Sequence, residues 1–202
     1  MQGSPPPALS ATKLACRRGD RLLFRGLSFD LGAGEALHVT GANGTGKTTL
    51  IRALAGLVTP FSGEVGREGA VGLLDERPAL DPDLPLGRAL RFWEGVDGCS
   101  DPSGALKVLG LEPLLEVPVR YLSTGQRKRA GLAVLLNRGV PIWLLDEPLS
   151  GLDAGAIDQV MSLIRLHVSG GGIALIASHQ KLDIEGLRNL AIEDYAAREE
   201  AA

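Results

Sequence analysis

Apolar and polar positions alternate in two different ways along this chain. Between Leu14 and Leu31, short apolar segments (Leu22-Leu23-Phe24 and Leu27-Ser28-Phe29) are set off by Gly19-Asp20 and Gly32-Ala33-Gly34. That pattern predicts antiparallel strands joined by turns. Ala36-Leu37-His38-Val39 predicts a short strand running directly into Gly41. Two later runs, Ile142-Trp143-Leu144-Leu145 and Ile173-Ala174-Leu175-Ile176, are almost continuously apolar. Such runs suit central parallel strands buried on both faces. Helical spacing appears from Lys47 to Leu57, with Leu50, Ile51, Leu54 and Leu57 on one face and Thr59-Pro60 as a stop. It recurs from Arg127 to Asn137 and from Asp158 to His167, where Val160, Leu163, Ile164 and Val168 would face the sheet.

Between about Arg77 and Gly139, Pro and Gly punctuate shorter helical fragments, Leu86 to Glu94 and Ala105 to Leu111. The expected fold is therefore α/β: a mainly parallel central sheet, an antiparallel β subdomain, and a small helical insertion at about 77–139. Residues 1–10, with Pro5-Pro6-Pro7, are expected to form a tail without regular structure. The folded domain should span 11–195, leaving 196–202 as a second tail. No internal repeat is visible.

Composition narrows the function classes. The 202 residues are 45% hydrophobic but only 4% aromatic, so aliphatic packing must fill the core. A net charge of −3 argues against a nucleic-acid partner, which needs clustered Lys and Arg. Cys16 and Cys99 stand in no metal-binding or redox spacing and are expected to be reduced thiols. His38, His167 and His179 are scattered and form no ligand cluster, and His38, inside a strand, is expected to pack in the core. No apolar run approaches the roughly 20 residues of a membrane span, and the start lacks the pattern of a signal peptide. A membrane role would come through a partner.

The chemistry concentrates in a few segments. Gly41-Ala42-Asn43-Gly44-Thr45-Gly46-Lys47-Thr48 fits the phosphate-loop pattern G-x-x-x-x-G-K-S/T between a strand and a helix. Glycines let consecutive backbone N–H groups curl around phosphate oxygens, and the helix start adds partial positive charge. Lys47 would bind the β/γ-phosphates of ATP, Thr48 would ligate Mg²⁺, and Thr49 would bond the α-phosphate. A chance glycine-rich turn is the competing reading, and the strand-loop-helix setting argues against it. Leu144-Leu145-Asp146-Glu147 closes an apolar strand with two carboxylates. A surface Asp-Glu pair at a strand end is the bland reading, but the segment resembles the Walker B strand of P-loop ATPases, which implies that Asp146 holds Mg²⁺, and Glu147 is placed to orient or deprotonate the attacking water. Ser123 is a good N-cap for the helix that starts near Arg127.

Taken in order, these segments resemble the ABC-type ATPases over most of residues 14–180. Leu122-Ser123-Thr124-Gly125-Gln126 resembles their LSGGQ signature, with Thr124 where Gly is usual, and Pro148 to Asp153 resembles their D-loop. The resemblance implies a P-loop NTPase fold and an ATP-sandwich dimer with itself or a second ATPase subunit. In it, Ser123, Gly125 and Gln126 of one chain reach the γ-phosphate held by the other. It also implies that His179, at a strand end, contacts that phosphate. Finer segments are similar to the CcmA-type ATP-binding subunits of cytochrome c maturation: Leu14 to Asp20 with Leu23-Phe24, Leu90-Arg91-Phe92-Trp93, and Val119 to Ser123. That similarity implies a haem-transporting translocase ATPase, peripheral on the cytoplasmic face of the inner membrane. Its partners would be integral subunits of a cytochrome c maturation complex, and hydrolysis would serve haem handling and release of a haem-loaded chaperone. Another small ABC exporter, or a soluble mechanochemical ABC ATPase, are the alternatives.

Two positions depart from the ABC pattern. Glu76 falls where the Q-loop glutamine is usual, a carboxylate that could reach Mg²⁺ while adding charge beside Asp146 and Glu147. Arg18 falls roughly where an adenine-stacking aromatic is usual. The stretch Leu84 to Trp93 is a candidate groove for a partner's helix, or the insertion's own small core.

Overall fold

The computed structural model describes residues 5–76, 78–97 and 103–197. Two sheets and five helices account for most of them. Strands β1 (Ala8–Arg18), β2 (Arg21–Leu31) and β4 (Ser62–Glu68) form an antiparallel sheet in the order β2-β1-β4. The second sheet is wholly parallel: β5 (Val71–Leu74), β6 (Ile142–Asp146), β7 (Ile173–Ala177), β3 (Ala36–Thr40) and β8 (Arg188–Ala191), in that spatial order. The helices are α1 (Lys47–Leu54), α2 (Leu86–Asp97), α3 (Ser103–Val108), α4 (Thr124–Arg138) and α5 (Ala154–Ser169).

The period-two geometry of the parallel strands divides the core in two. Ile142, Leu144, Ile173, Leu175, Leu37 and Val39 point to the face covered by α1 and the antiparallel sheet. Their neighbours Trp143, Leu145, Ala174, Ile176 and Ala36 point to the face covered by α4, α5 and α2. Both faces are apolar, which is why these strands read as continuous hydrophobic runs. On the second face α4 comes unusually close to β5. A Cβ at Gly72 would lie 2.0 Å from Leu135 Cδ1, and one at Gly131 would lie 2.6 Å from Leu74 Cδ1. The helical segment and the sheet thus share one core.

Several expectations need correction. The expected first tail is cut short at Ala8, which pairs with β4, while Leu9 and Ser10 pair with both β2 and β4 and Leu9 is fully buried. Pro5-Pro6-Pro7 only delays the strand. At the other end, Ala196 bridges Phe24 and the Ala197 N–H donates to the Leu23 carbonyl, so these two belong to the fold. Helix α1 stops at Leu54 rather than Leu57, because Gly56 turns the chain at φ 79° and leaves Leu57 exposed. Helices α4 and α5 instead begin earlier than their apolar periodicity suggests, at caps on Ser123 and Asp153. Strands β4, β5 and β8 have no counterpart in the reading of the sequence. Cys16 is buried and unpaired, and burial pushes its thiol up to about 11. Cys99 lies outside the described residues.

Candidate functional site

The phosphate-loop segment sits where strand β3 delivers it, at the carboxyl edge of the parallel sheet. Gly46 caps α1 at φ 113° and offers no side-chain acceptor, so the first amides of α1 keep no partner from a cap. Thr45 closes the loop locally, donating its hydroxyl to the Ala42 carbonyl at 2.9 Å. Gly44, Gly46, Lys47, Thr48 and Thr49 line a cavity of about 230 Å³, together with Asn43, Arg18, Leu23, Glu76, Asp146 and Glu147. Gly41 and Ala42 lie behind the loop rather than on that cavity.

Lys47 is buried, and its ammonium donates to the carbonyls of Gly41 (2.7 Å) and Ala42 (3.1 Å). It also approaches His179 Nε2 at 3.2 Å. The same imidazole nitrogen lies 2.8 Å from Asn43 Oδ1 and 3.5 Å from Glu147 Oε1. One nitrogen cannot both donate to Asn43 and accept from Lys47, so the ring's tautomer selects between them. His179, more than 130 residues from the loop in sequence, is therefore brought to its centre. His38 instead stays structural: it is buried, with Nε2 2.9 Å from the Ser178 carbonyl.

Strand β6 supplies the carboxylates. The Thr48 hydroxyl donates to Asp146 Oδ2 at 2.6 Å. Burial raises the Asp146 carboxyl above the ordinary range, the Thr48 bond opposes this, and the nearby charges of Glu76, Glu147 and Asp75 raise it further. The Thr48 hydroxyl and the Asp146 carboxylate offer two oxygen donors of the kind a hard divalent cation takes, and among the described residues no three His, Cys, Asp or Glu side chains cluster to hold one by themselves. Glu147 breaks the strand at φ 48°, a conformation costing a non-glycine residue about 1 kcal/mol or more. Its amide donates to Ala177 (2.8 Å), while among the described residues its buried Oε1 has no hydrogen-bond partner. An unsatisfied carboxylate oxygen beside an imidazole is an acceptor waiting for a proton-bearing group.

The signature segment does not share this cavity. Ser123, Gly125 and Gln126 start α4 with a capping box: Gln126 N–H donates to Ser123 Oγ (3.2 Å), and Ser123 N–H donates to Gln126 Oε1 (2.8 Å). Beside this cleft lies a second cavity of about 540 Å³, bordered by Leu80, Val119, Arg120, Thr124, Arg127 and Ser150. Glu76 borders both cavities. The stretch Leu84 to Trp93 divides between its two readings: Leu86, Ala89 and Leu90 are buried in the helical core, whereas Phe92 is 61% exposed.

Two residues of this neighbourhood escape sequence reasoning. Glu193, in a 3-10 turn over Ile192–Tyr195, accepts the Ala42 N–H at 2.6 Å across 151 residues of chain. Its neighbour Ile192 packs so tightly under Gly41 that a Cβ there would lie 2.7 Å from it. No local pattern signals such a contact. Lys128 hides in the basic run Arg127-Lys128-Arg129, which suggests a solvated helix start. The helical period did carry a signal, since Lys128 falls in line with buried Gly125, Leu132 and Leu135.

Residues 24–150 match the model of the ABC transporter family. The cytochrome c biogenesis ATP-binding export protein CcmA of Novosphingobium aromaticivorans is 56% identical over 93% of this chain and 96% of its own length. The protein of the same name from Zymomonas mobilis is 48% identical over 94% of this chain and 86% of its own. Among solved structures, cbiO1 from Clostridium perfringens, part of the ABC transporter complex cbiONQ, superimposes with a TM-score of 0.67. It is 25% identical over 85% of this chain and 78% of that one. The dimeric post-hydrolysis state of the ATP-binding cassette MJ0796, bound to ADP and Pi, has the same fold, with a TM-score of 0.74 at 20% identity, covering 85% and 88% of the two chains.

Proposed function

Since the chain belongs to the ABC transporter family, and within it to the cytochrome c biogenesis ATP-binding export proteins, we propose that it is the ATP-hydrolysing subunit of a membrane complex for cytochrome c biogenesis. It would couple hydrolysis to haem handling and to release of a haem-loaded chaperone. The observation that carries the ATPase reading is the convergence of Lys47, Thr48, Asp146, Glu147 and His179 on one cleft. The relatives' shared name carries the cytochrome c biogenesis and export reading, and haem is the cargo we infer for it.

Lys47 already points its ammonium along the loop and would exchange the carbonyls of Gly41 and Ala42 for phosphate oxygens. The open amides of α1 would receive the rest of the phosphate charge. Thr48 and Asp146 would hold Mg²⁺, with Glu76 as a weaker third oxygen donor. When bound, that ion neutralises charge on the β- and γ-phosphates. Glu147 Oε1 would accept a hydrogen bond from the attacking water, and His179 would fix the water's other side against the γ-phosphate. Arg18 and Leu23 form the outer rim, where the base would lie. Phosphoryl transfer needs little beyond this positioning and charge neutralisation.

The isolated chain keeps Ser123, Gly125 and Gln126 off its own cleft. They would act on the nucleotide of a facing subunit, making ATP the adhesive of a dimer. ATP must then favour the closed pair by several kcal/mol to switch its population, since only differential binding shifts an equilibrium. We assign membrane contact, on the cytoplasmic face, to integral partner subunits. No helix among the described residues is long and apolar enough to cross a bilayer. The net charge of −3 supports no nucleic-acid partner.

The test is Glu147→Gln, purified from membranes. It is expected to bind Mg-ATP, fail to hydrolyse it, and trap a dimer with integral proteins attached. Hydrolysis at the parent rate would overturn the site assignment. Normal c-type cytochromes in a strain lacking the gene would overturn the haem reading and favour another exporter.

A further inference from the structure

Lys128 is the most deeply buried ammonium in the described structure, 2% exposed, and nothing in the ATPase scheme uses it. An ammonium is unfavourable in such a place unless it is paired and fully hydrogen-bonded. Its partners are specific. Nζ donates to the backbone carbonyl of Glu147 and to the hydroxyl of Ser150. The carboxylates of Glu147, Glu76 and Asp146 supply the opposing charge. Burial pulls the Lys128 pKa below the usual lysine range, and those three carboxylates partly restore it.

The backbone around it is just as constrained. The Glu147 carbonyl that receives Lys128 also receives the Ser150 N–H at 3.2 Å, closing the turn that Glu147 opens at φ 48°. One helical turn before Lys128, Gly125 lies against Gly151, so closely that a Cβ would sit 2.5 Å from the Gly151 carbonyl oxygen. The first turn of α4 and the segment 147–151 thus touch at two points, one a close steric approach and one a set of charge-assisted hydrogen bonds.

We propose that Lys128 is a positioning residue that locks the signature end of α4 to the backbone of Glu147 in the same chain. This rests on the ATPase reading of the site given above. The signature faces the nucleotide of the other subunit, whereas Glu147 serves the nucleotide of its own. The Lys128 ammonium therefore joins the two nucleotide sites inside each chain. Docking of Ser123 and Gly125 on the far nucleotide turns α4, α4 carries Lys128, and Lys128 sets the torsion that aims the Glu147 carboxylate.

Single-turnover hydrolysis of pre-bound Mg-ATP by the full-length chain, with nucleotide affinity measured alongside, tests this. Lys128→Met removes charge and donors while keeping volume, and it is expected to slow hydrolysis about a hundredfold, as a displaced reacting group does. Its ATP affinity should stay within about twofold of the parent, because the effect falls on the chemical step. Lys128→Arg, which keeps charge and donors, should restore most of the rate, and Lys128→Gln should not. Ser150→Ala deletes one acceptor of a buried donor, so it should lower the thermal midpoint and slow hydrolysis about threefold while leaving ATP affinity unchanged. ATP cooperativity should disappear in Lys128→Met. Parent-like turnover in Lys128→Met, equal losses in rate and affinity, or no rescue by Arg would each overturn the proposal. Glu147→Gln is the control: if it hydrolyses ATP, the site reading fails. If it is inactive while Lys128→Met is unaltered, only the role of Lys128 fails.

Discussion

The two glycine-bearing loops of this protein open two helices in opposite ways. The loop at 41–48 enters α1 through Gly46, with no side chain spent on capping, and leaves the helix amides exposed to the cleft. The loop at 122–126 enters α4 through Ser123 and Gln126, which satisfy each other's backbone N–H groups in a closed capping box. The first is built to be completed by an anion. The second is complete without one, and what it retains is the Ser123 hydroxyl proton, because that oxygen acts only as an acceptor within the box. A helix start that binds phosphate strongly must therefore be left unfinished. One that merely touches a neighbour's phosphate is free to be a stable helix.

Substitutions break this contrast in graded steps. The largest effect is expected from Lys47→Ala, which removes the full charge from the unfinished loop. Its ATP affinity should fall about a hundredfold or more in a binding titration, the scale of losing a buried charge-assisted contact. Next is Ser123→Ala. Loss of the cap should cost about 1 kcal/mol in urea unfolding. Nucleotide affinity of the single chain should be retained and turnover lost, since in the proposed dimer the serine acts on a facing subunit. Equal losses of binding in both variants would erase the distinction between the loops. A third variant, Gly72→Ala, probes the α4–β5 contact that carries the signature helix. Overpacking against Leu135 should cost about 1–3 kcal/mol in the same assay.

The smallest effect lies away from both loops and gives a baseline for them. His167 stacks on Trp143, with ring centroids 3.9 Å apart and planes inclined by 8°. Burial lowers its pKa from the ordinary 6.5, while hydrogen bonds to the Ile173 and Pro141 backbone oppose that shift. The unfolded chain therefore takes up a proton below pH 6.5 that the folded chain resists. Stability from this residue is fully present above that pH and declines as the pH falls below it, by at most about 1.4 kcal/mol per pH unit. Urea midpoints between pH 5 and 7 should show the slope, and His167→Gln should flatten it.

Legibility in the sequence followed the same division between local and distant causes. The segment β3-loop-α1 and strands β6 and β7 announce themselves, because a phosphate loop and a doubly buried strand each impose a dense local pattern. Strand β4 does not: along Ser62–Glu68 only Val65 is even half-buried, and the strand exists because β1 offers it hydrogen bonds. Strand β8 is four residues at an edge, with Leu190 alone buried. Leu9 and Ala11 do alternate in the manner of a strand, but three prolines just before them obscure it. The carboxylates could be named from their strand-end position, and His179 from the family resemblance. Glu193 could not, since what defines it is an amide that only the tertiary fold brings near, and Lys128 shows only its place on the buried face of α4, not the carbonyl it binds.

The Glu193 contact has a consequence in time. The segment 41–48 is made early, but its outer amide at Ala42 is held by a carboxylate 151 residues later, and Gly41 rests on Ile192. Contacts of such sequence separation are expensive in loop entropy and form late. A growing chain that stopped short of Ile192 would carry every letter of the nucleotide-binding motif and still lack its back wall. The nucleotide loop is complete only after Ile192 and Glu193 have been made.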